Sequence, residues 1–215
     1  MATQTGRNVR VEIAATYGAA KTVSGITKAS PGVCTTSVAH SMTDGTIGYF
    51  SDDLAGMEEI AGAAFSVDGP VSTTFNIEGE DTSTYGTFSS GTFIPVATWA
   101  TLSTATSYEI SDSAPDQIDA TTLLSRIKLQ EAGLLANQTI TFGNLSDAQL
   151  SAFTLLKNAA KANGGYVVGR ITLSNGERRI FRGQPSLPGE SLSVGQKATN
   201  NLQILVKGFV GMLPA

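Results

Sequence analysis

Residues 165–184, GYVVGRITLSNGERRIFRGQ, decide the fold class: two runs rich in Val, Ile and Phe flank Ser-Asn-Gly, and Asn175-Gly176 is a strong local hairpin signal. Both turn positions tolerate positive φ, so the chain can reverse there with little strain. Downstream, residues 201–213, NLQILVKGFVGML, alternate over a long segment and place Leu202, Ile204 and Val206, with Phe209 or Val210, on one side. An apolar strand this close to the end must pair within its own sheet or with a neighbouring subunit.

Upstream of the hairpin lies the single strong helix signal. Ser146 and Gln149 form an S-x-x-Q capping box, Leu145 and Leu150 a hydrophobic staple, and Asn163-Gly164 a stop, which predicts a helix over 147–163. Leu150, Phe153, Leu156 and Ala160, joined by Leu155 and Ala159, make one apolar stripe, so the helix should lie on a sheet or barrel. Strands are expected at 137–143 and, at the start of the chain, at 8–16, where Val9, Val11 and Ile13 alternate with Asn8, Arg10 and Glu12.

Between 22 and 96 short β-type segments recur (TVSGIT, GVCTTSV, TIGYF, AAFSV, TTFNIEG, GTFIPV), separated by turn residues at the spacing of a small sandwich or barrel. Residues 97–105 carry few signals, 106–124 read as strand, Pro-containing turn, strand, and 123–132 fit helix and strand periods equally. The fold class is therefore mainly β with one flanking helix, an α+β outline.

The composition of this 215-residue chain agrees: 41% hydrophobic residues can fill a core, while 23 Gly and only 15% charged residues favour strands and turns. One Cys (Cys34) and one His (His40) exclude a Cys/His zinc site, a disulfide framework or a redox pair within the chain. The first residues, MATQTGRNVR, lack the apolar run of a secretory signal, and no stretch reaches membrane-span length, so a cytoplasmic origin is expected. A low-charge surface rich in Thr and Ser suggests coverage by further copies of the chain.

Charge is segregated. Residues 29–125 hold thirteen acids and no Lys or Arg, for a charge of −13, whereas the two ends together carry +9, giving −4 overall. Either an acidic module is solvated, or unlike surfaces of neighbouring subunits meet. The basic residues do not cluster with stacking aromatics, which argues against tight nucleic-acid binding.

Little in the sequence points to catalysis. Cys34 and His40 admit a Cys/His dyad across a hairpin, but a buried structural Cys and a turn His explain them as well. The G-x-S-x-G, Walker-type and G-x-G-x-x-G patterns are missing. The pairs Asp52-Asp53 and Glu58-Glu59 and the trio Glu78, Glu80 and Asp81 offer glycosidase or Ca²⁺ readings, but their spacing lacks the EF-hand pattern and solvated loop acids are the default. No catalytic residue, cofactor or metal ligand is assigned.

Two stretches resemble known families. GITKASPGVCTTSVAHSMTDGT (25–46), GMEEIAGAAFSV (56–67) and TTFNIEGEDTSTYGTFSSGT (73–92) resemble a small β module found repeatedly in phage virion proteins, with His40-Ser41 and Ala61-Gly62 where the module has His-Gly and Asn-Gly. QIDATTLLSRIKLQEAGLLANQTITFG (117–143), the helix SDAQLSAFTLLKNAAKANG (146–164), the hairpin and the closing strand, after an opening VEIAAT strand, resemble the tail-tube (major tail) proteins of long-tailed, siphovirus-type bacteriophages.

The resemblance implies an antiparallel β-sandwich or barrel with a flanking helix. It divides the chain into an arm and first strand (1–24), an inserted acidic β module (25–95) and the main tube domain (96–215). It also implies a structural virion protein, made in the bacterial cytoplasm, that closes into hexameric rings stacked as a tube for genome ejection. The implied partners are further copies of itself and the tail terminator, tape-measure and distal tail proteins, with duplex DNA passing through unbound and no membrane involved.

A DNA conduit should have a neutral to acidic lumen of Thr, Ser, Gln, Asn and carboxylates, because Lys and Arg would add salt-dependent adhesion. The hairpin (166–184) and the terminal strand (201–212) are the candidates for that wall. Candidate inter-subunit contacts are Arg170, Arg178, Arg179 and Arg182, reaching acids of an adjacent copy, and Leu202, Ile204 and Val206. The acidic module either decorates the exterior or joins ring to ring. The alternatives are another virion β protein (tail terminator, head-tail connector or fibre-associated module) or a glycan-binding or hydrolytic module using Trp99 and Tyr85.

Overall fold

One long strand, β7 (Gly91–Thr101), organises the molecule by belonging to two sheets at once. The computed structural model describes residues 8–122, 124, 126–147, 150–187 and 189–215. Along one side of β7 run β1 (Arg10–Tyr17) and then β2 (Lys21–Ile26), from Glu12 opposite Thr101 down to Val23 opposite Gly91. The expected boundaries at 24/25 and 95/96 thus both fall inside strands.

The lower half of β7 completes a small barrel. With β3 (Val33–Thr36), β4 (Ile47–Phe50), β5 (Ala64–Val71) and β6 (Thr74–Ile77), the pairings run β2-β3-β6-β5-β4-β7 and return from β7 to β2. Closure leaves these six strands no sheet edge. Phe50, Phe75 and Phe93 fill the interior, their ring centroids 5.2 Å apart from Phe50 to Phe93 and from Phe75 to Phe93. Gly48 sits beside Phe93 because an added Cβ would lie 2.5 Å from that ring.

The upper half of β7 leads into the main sheet, β7-β1-β12-β13-β15-β11-β8. Its further strands are β8 (Ala105–Ile110), β11 (Thr139–Leu145), β12 (Val167–Thr172), β13 (Arg178–Pro185) and β15 (Thr199–Val206). The short β14 (Gly189–Ser191) and β16 (Gly211–Leu213) pair with β15 and β13. A separate two-stranded ladder joins β9 (Pro115–Asp119) to β10 (Gln130–Leu135).

On one face, α1 (Ser151–Lys161) covers a core of Ile13, Ile140, Phe142, Ile171, Phe181, Leu202 and Ile204. The barrel covers part of the other face, with Ile47, Ala64 and Val96 meeting Ala14, Val168, Ile180 and Leu213. The fold is mainly β with one α-helix among the described residues, as the residue pattern predicts.

Several local readings need correction. The 165–184 hairpin is present, but Leu173 N bonds to Glu177 O and only Gly176 of the Asn-Gly pair has positive φ (91°), giving a three-residue loop. The helix begins at Ser151: the Ser146 hydroxyl donates to Glu190 Oε1 at 2.8 Å and its N–H to Ala198 O, so the chain still follows the sheet there. Gln149, the other half of the expected capping box, lies outside the described residues. The stripe packed on the core is Leu150, Ala152, Leu155, Leu156 and Ala159, which adds Ala152 to the predicted set and leaves out Phe153 and Ala160. The long terminal strand breaks at Gly208 (φ 76°), so Val210 is buried while Phe209 stands exposed. Residues 97–101, nearly silent in sequence, complete β7 and are joined by a tight turn to β8, the first strand read in 106–124.

Candidate assembly surface

Register fixes which arginines share a face. Arg170 opposes both Glu12 and Ile180, so Arg170, Arg178 and Arg182 lie on the barrel side of the main sheet and Arg179 on the other. Arg182 is buried: it forms two bonds to the Asp52 carboxylate at 2.8 and 2.9 Å and one to Gly62 O. Its guanidinium lies between the rings of Tyr49 and Tyr166, 4.4 and 4.5 Å from their centroids. Lys207 also reaches Asp52, and the hydrogen bond from Arg182, reinforced by Lys207, holds this carboxyl well below the usual range.

Arg178 grips both oxygens of Glu78 at 3.0 Å. Arg170 donates to Glu12 at 2.6 Å and lies 4.5 Å over Trp99, while Arg179 binds Glu177 at 2.6 Å. The four candidate contact arginines are therefore engaged inside the chain, and two of them tie the basic end to the acidic window. Charge segregation, read as a signal between neighbours, is met here in part by intrachain pairs. Leu202, Ile204 and Val206 are likewise core residues, at most 1% exposed, because β15 alternates strictly and turns its other residues outward. The hairpin predicted as a lumen wall has the core on one side and the barrel on the other.

What stays open is the rest of the barrel-side face. Beyond Arg182 it continues through Gln184 to Leu205, Thr139 and onward, across β15, β11 and β8. Its outward strand positions include Thr199, Asn201, Gln203, Thr139, Thr141, Ser107 and Glu109, and hold no Lys or Arg. The sheet ends at β8, whose outer edge has no strand partner among the described residues.

β8 and β11 then extend past the body as β9 and β10, secured at the base by Ser111 Oγ accepting from Thr139 N and by Ser113 Oγ donating to Ala136 O. Every residue of β9 and β10 except Gly133 is exposed. Ile118, Leu124, Ile127, Leu129, Leu134 and Leu135 all lie open on this arm, Leu124 at 94% exposure. Apolar surface of this kind marks an interaction site. The sequence pattern of 106–124 includes the first strand of the arm, but not its pair, because 123–132 fit two periods; the signal available was a run of apolar residues lacking the periodicity of a buried face.

The remaining candidates separate. Cys34 is buried in the barrel, which pushes its thiol up and keeps it protonated. The His40 ring bonds the backbone, Nε2 to Thr74 O and Nδ1 to Met42 N, not the thiol. Glu80 accepts from Tyr85 Oη at 2.5 Å and Asp81 from Ser83 N, so the Glu78, Glu80 and Asp81 carboxylates turn to different partners. No group of three His, Cys, Asp or Glu could hold a metal among the described residues. Trp99 and Tyr85 pack on different clusters and share no groove. No helix among the described residues is long and apolar enough to cross a membrane. The chain matches no protein-family model and none of the curated proteins compared with it.

Proposed function

We propose that the chain is the subunit of the tail tube of a long-tailed, siphovirus-type bacteriophage, closing into hexameric rings that stack into the conduit for genome ejection. The observation that carries this reading is the bare face of β15, β11 and β8, which is neutral to acidic and free of Lys and Arg at its outward strand positions. Duplex DNA carries one phosphate charge per ~1.7 Å of axis, so such a wall lets it pass without adhesion. Copies joined through the open edge of β8 would continue this face into a closed wall and remove the edge. In this reading the protein resides in the virion tail, next to the terminator, tape-measure and distal tail proteins.

Thr141→Lys with Gln203→Lys tests the wall. Tubes of the double variant should still assemble and should retain duplex DNA in a salt-sensitive manner that unaltered tubes lack. Equal DNA retention by both would put the face outside the lumen. Purified rings that close but never stack would instead support a tail terminator.

A further inference from the structure

The tip of the arm and one groove of the body are both apolar and carry opposite charge. The groove, of about 520 Å³, lies between the barrel and β16, with Phe65, Ile180, Phe209 and Met212 among its walls and Glu59 and Glu80 at its margin. Phe209 is 59% exposed, a large apolar side chain beside an apolar hollow that the chain leaves open, while Met212, opposite Arg179 in register, turns its side chain to the other face of the sheet.

The tip of the arm carries the opposite features. Leu124, Ile127 and Leu129 are exposed there, and Arg126 and Lys128 are the first bases after the 29–125 acidic window. Neither Arg126 nor Lys128 forms an ion pair among the described residues, in contrast to Arg170, Arg178, Arg179 and Arg182. The acids of the arm, Asp116, Asp119 and Glu131, sit on its shaft rather than at the tip. At roughly 3.3 Å per residue the shaft can carry the tip up to about 40 Å from the base at Ser111.

We propose that the tip of the arm docks into this groove of a second copy, Leu124 and Ile127 entering against Phe209 while Arg126 and Lys128 meet Glu59 and Glu80. The contact is head-to-tail, with different patches on the two copies, so it propagates rather than closing on itself as a two-fold dimer does. It rests on the tube reading and supplies that reading with a specific link between copies. It also gives the acidic barrel a role as receptor in assembly.

The test mixes two separately purified variants, Ile127→Cys and Phe209→Cys, under assembly conditions with a mild added oxidant and reads disulfide-linked dimers on a non-reducing gel. Native Cys34 is buried and stays silent. The expected result is a dimer band several-fold stronger than for Ile127→Cys mixed with Val38→Cys, a control at an exposed position. Arg126→Glu with Lys128→Glu should raise the protein concentration needed for assembly about tenfold, a contribution typical of complementary charge at an interface. Tubes that form without the Ile127–Phe209 link, or links only between two Ile127→Cys copies, overturn the docking and leave the tube reading standing. A chain that never associates overturns both.

Discussion

The closed barrel and the β9–β10 arm are built from the same kind of strand, yet they stand at opposite ends of the energetics. In the barrel six strands satisfy one another and three phenylalanines interlock inside. On the arm two strands have only each other, and apolar side chains that would normally be hidden face solvent. A two-stranded ribbon is marginal alone in water. Stability is therefore concentrated in one region and the capacity for interaction in the other, so substitutions should separate the two properties cleanly.

The largest effect should come from the barrel interior. Phe93→Ala removes a fully buried ring shared by Phe50 and Phe75 and should cost about 4 kcal/mol in denaturant unfolding. A loss under 1 kcal/mol would mean that the barrel tolerates cavities and is not the rigid partner in the comparison. Next comes the lock between barrel and main sheet. Arg182→Ala deletes two bonds to Asp52, one to Gly62 O and two ring contacts, and should cost about 3 kcal/mol. Proteolysis should then separate barrel and main-sheet fragments more readily.

A smaller effect depends on pH. The folded value of Asp52 is depressed, so its contribution is complete above the unfolded value of about 4 and is lost as pH falls from there toward the folded value. Asp52→Asn should lower stability at pH 7 and flatten the decline below pH 4; an unchanged acid profile would place the linkage on other carboxylates. The smallest effect on stability belongs to the arm, where Ile127→Ser should stay within about 0.5 kcal/mol of the parent because that side chain is 76% exposed in its own chain. Assembly of the same variant, measured by sedimentation, should nevertheless be impaired.

The same contrast explains what the sequence discloses. Period-two alternation in Val9 to Ile13, the apolar runs around Ser-Asn-Gly and the helical stripe are local signals, and each marks a real element. Barrel closure is not local: β2 meets β7 about seventy residues later, and no window of sequence carries that pairing. The arginines misled for a related reason. Charge usually indicates surface, but Arg182 and Asp52 lie 130 residues apart in the chain and Arg178 and Glu78 lie 100 apart, so only the fold reveals that they neutralise each other. The polar character of the bare sheet face, Thr, Asn, Gln and Glu, is legible in the sequence, but its place is not. Its location follows from how much of the sheet the barrel covers.

Cryo-electron microscopy of the purified chain at high concentration is the decisive measurement for tube assembly. Hollow stacked annuli are expected, with Thr141 and Gln203 on the inner wall and each arm seated on a neighbouring copy. Dispersed monomers, or a polymer with that face turned to the outside, would contradict this arrangement.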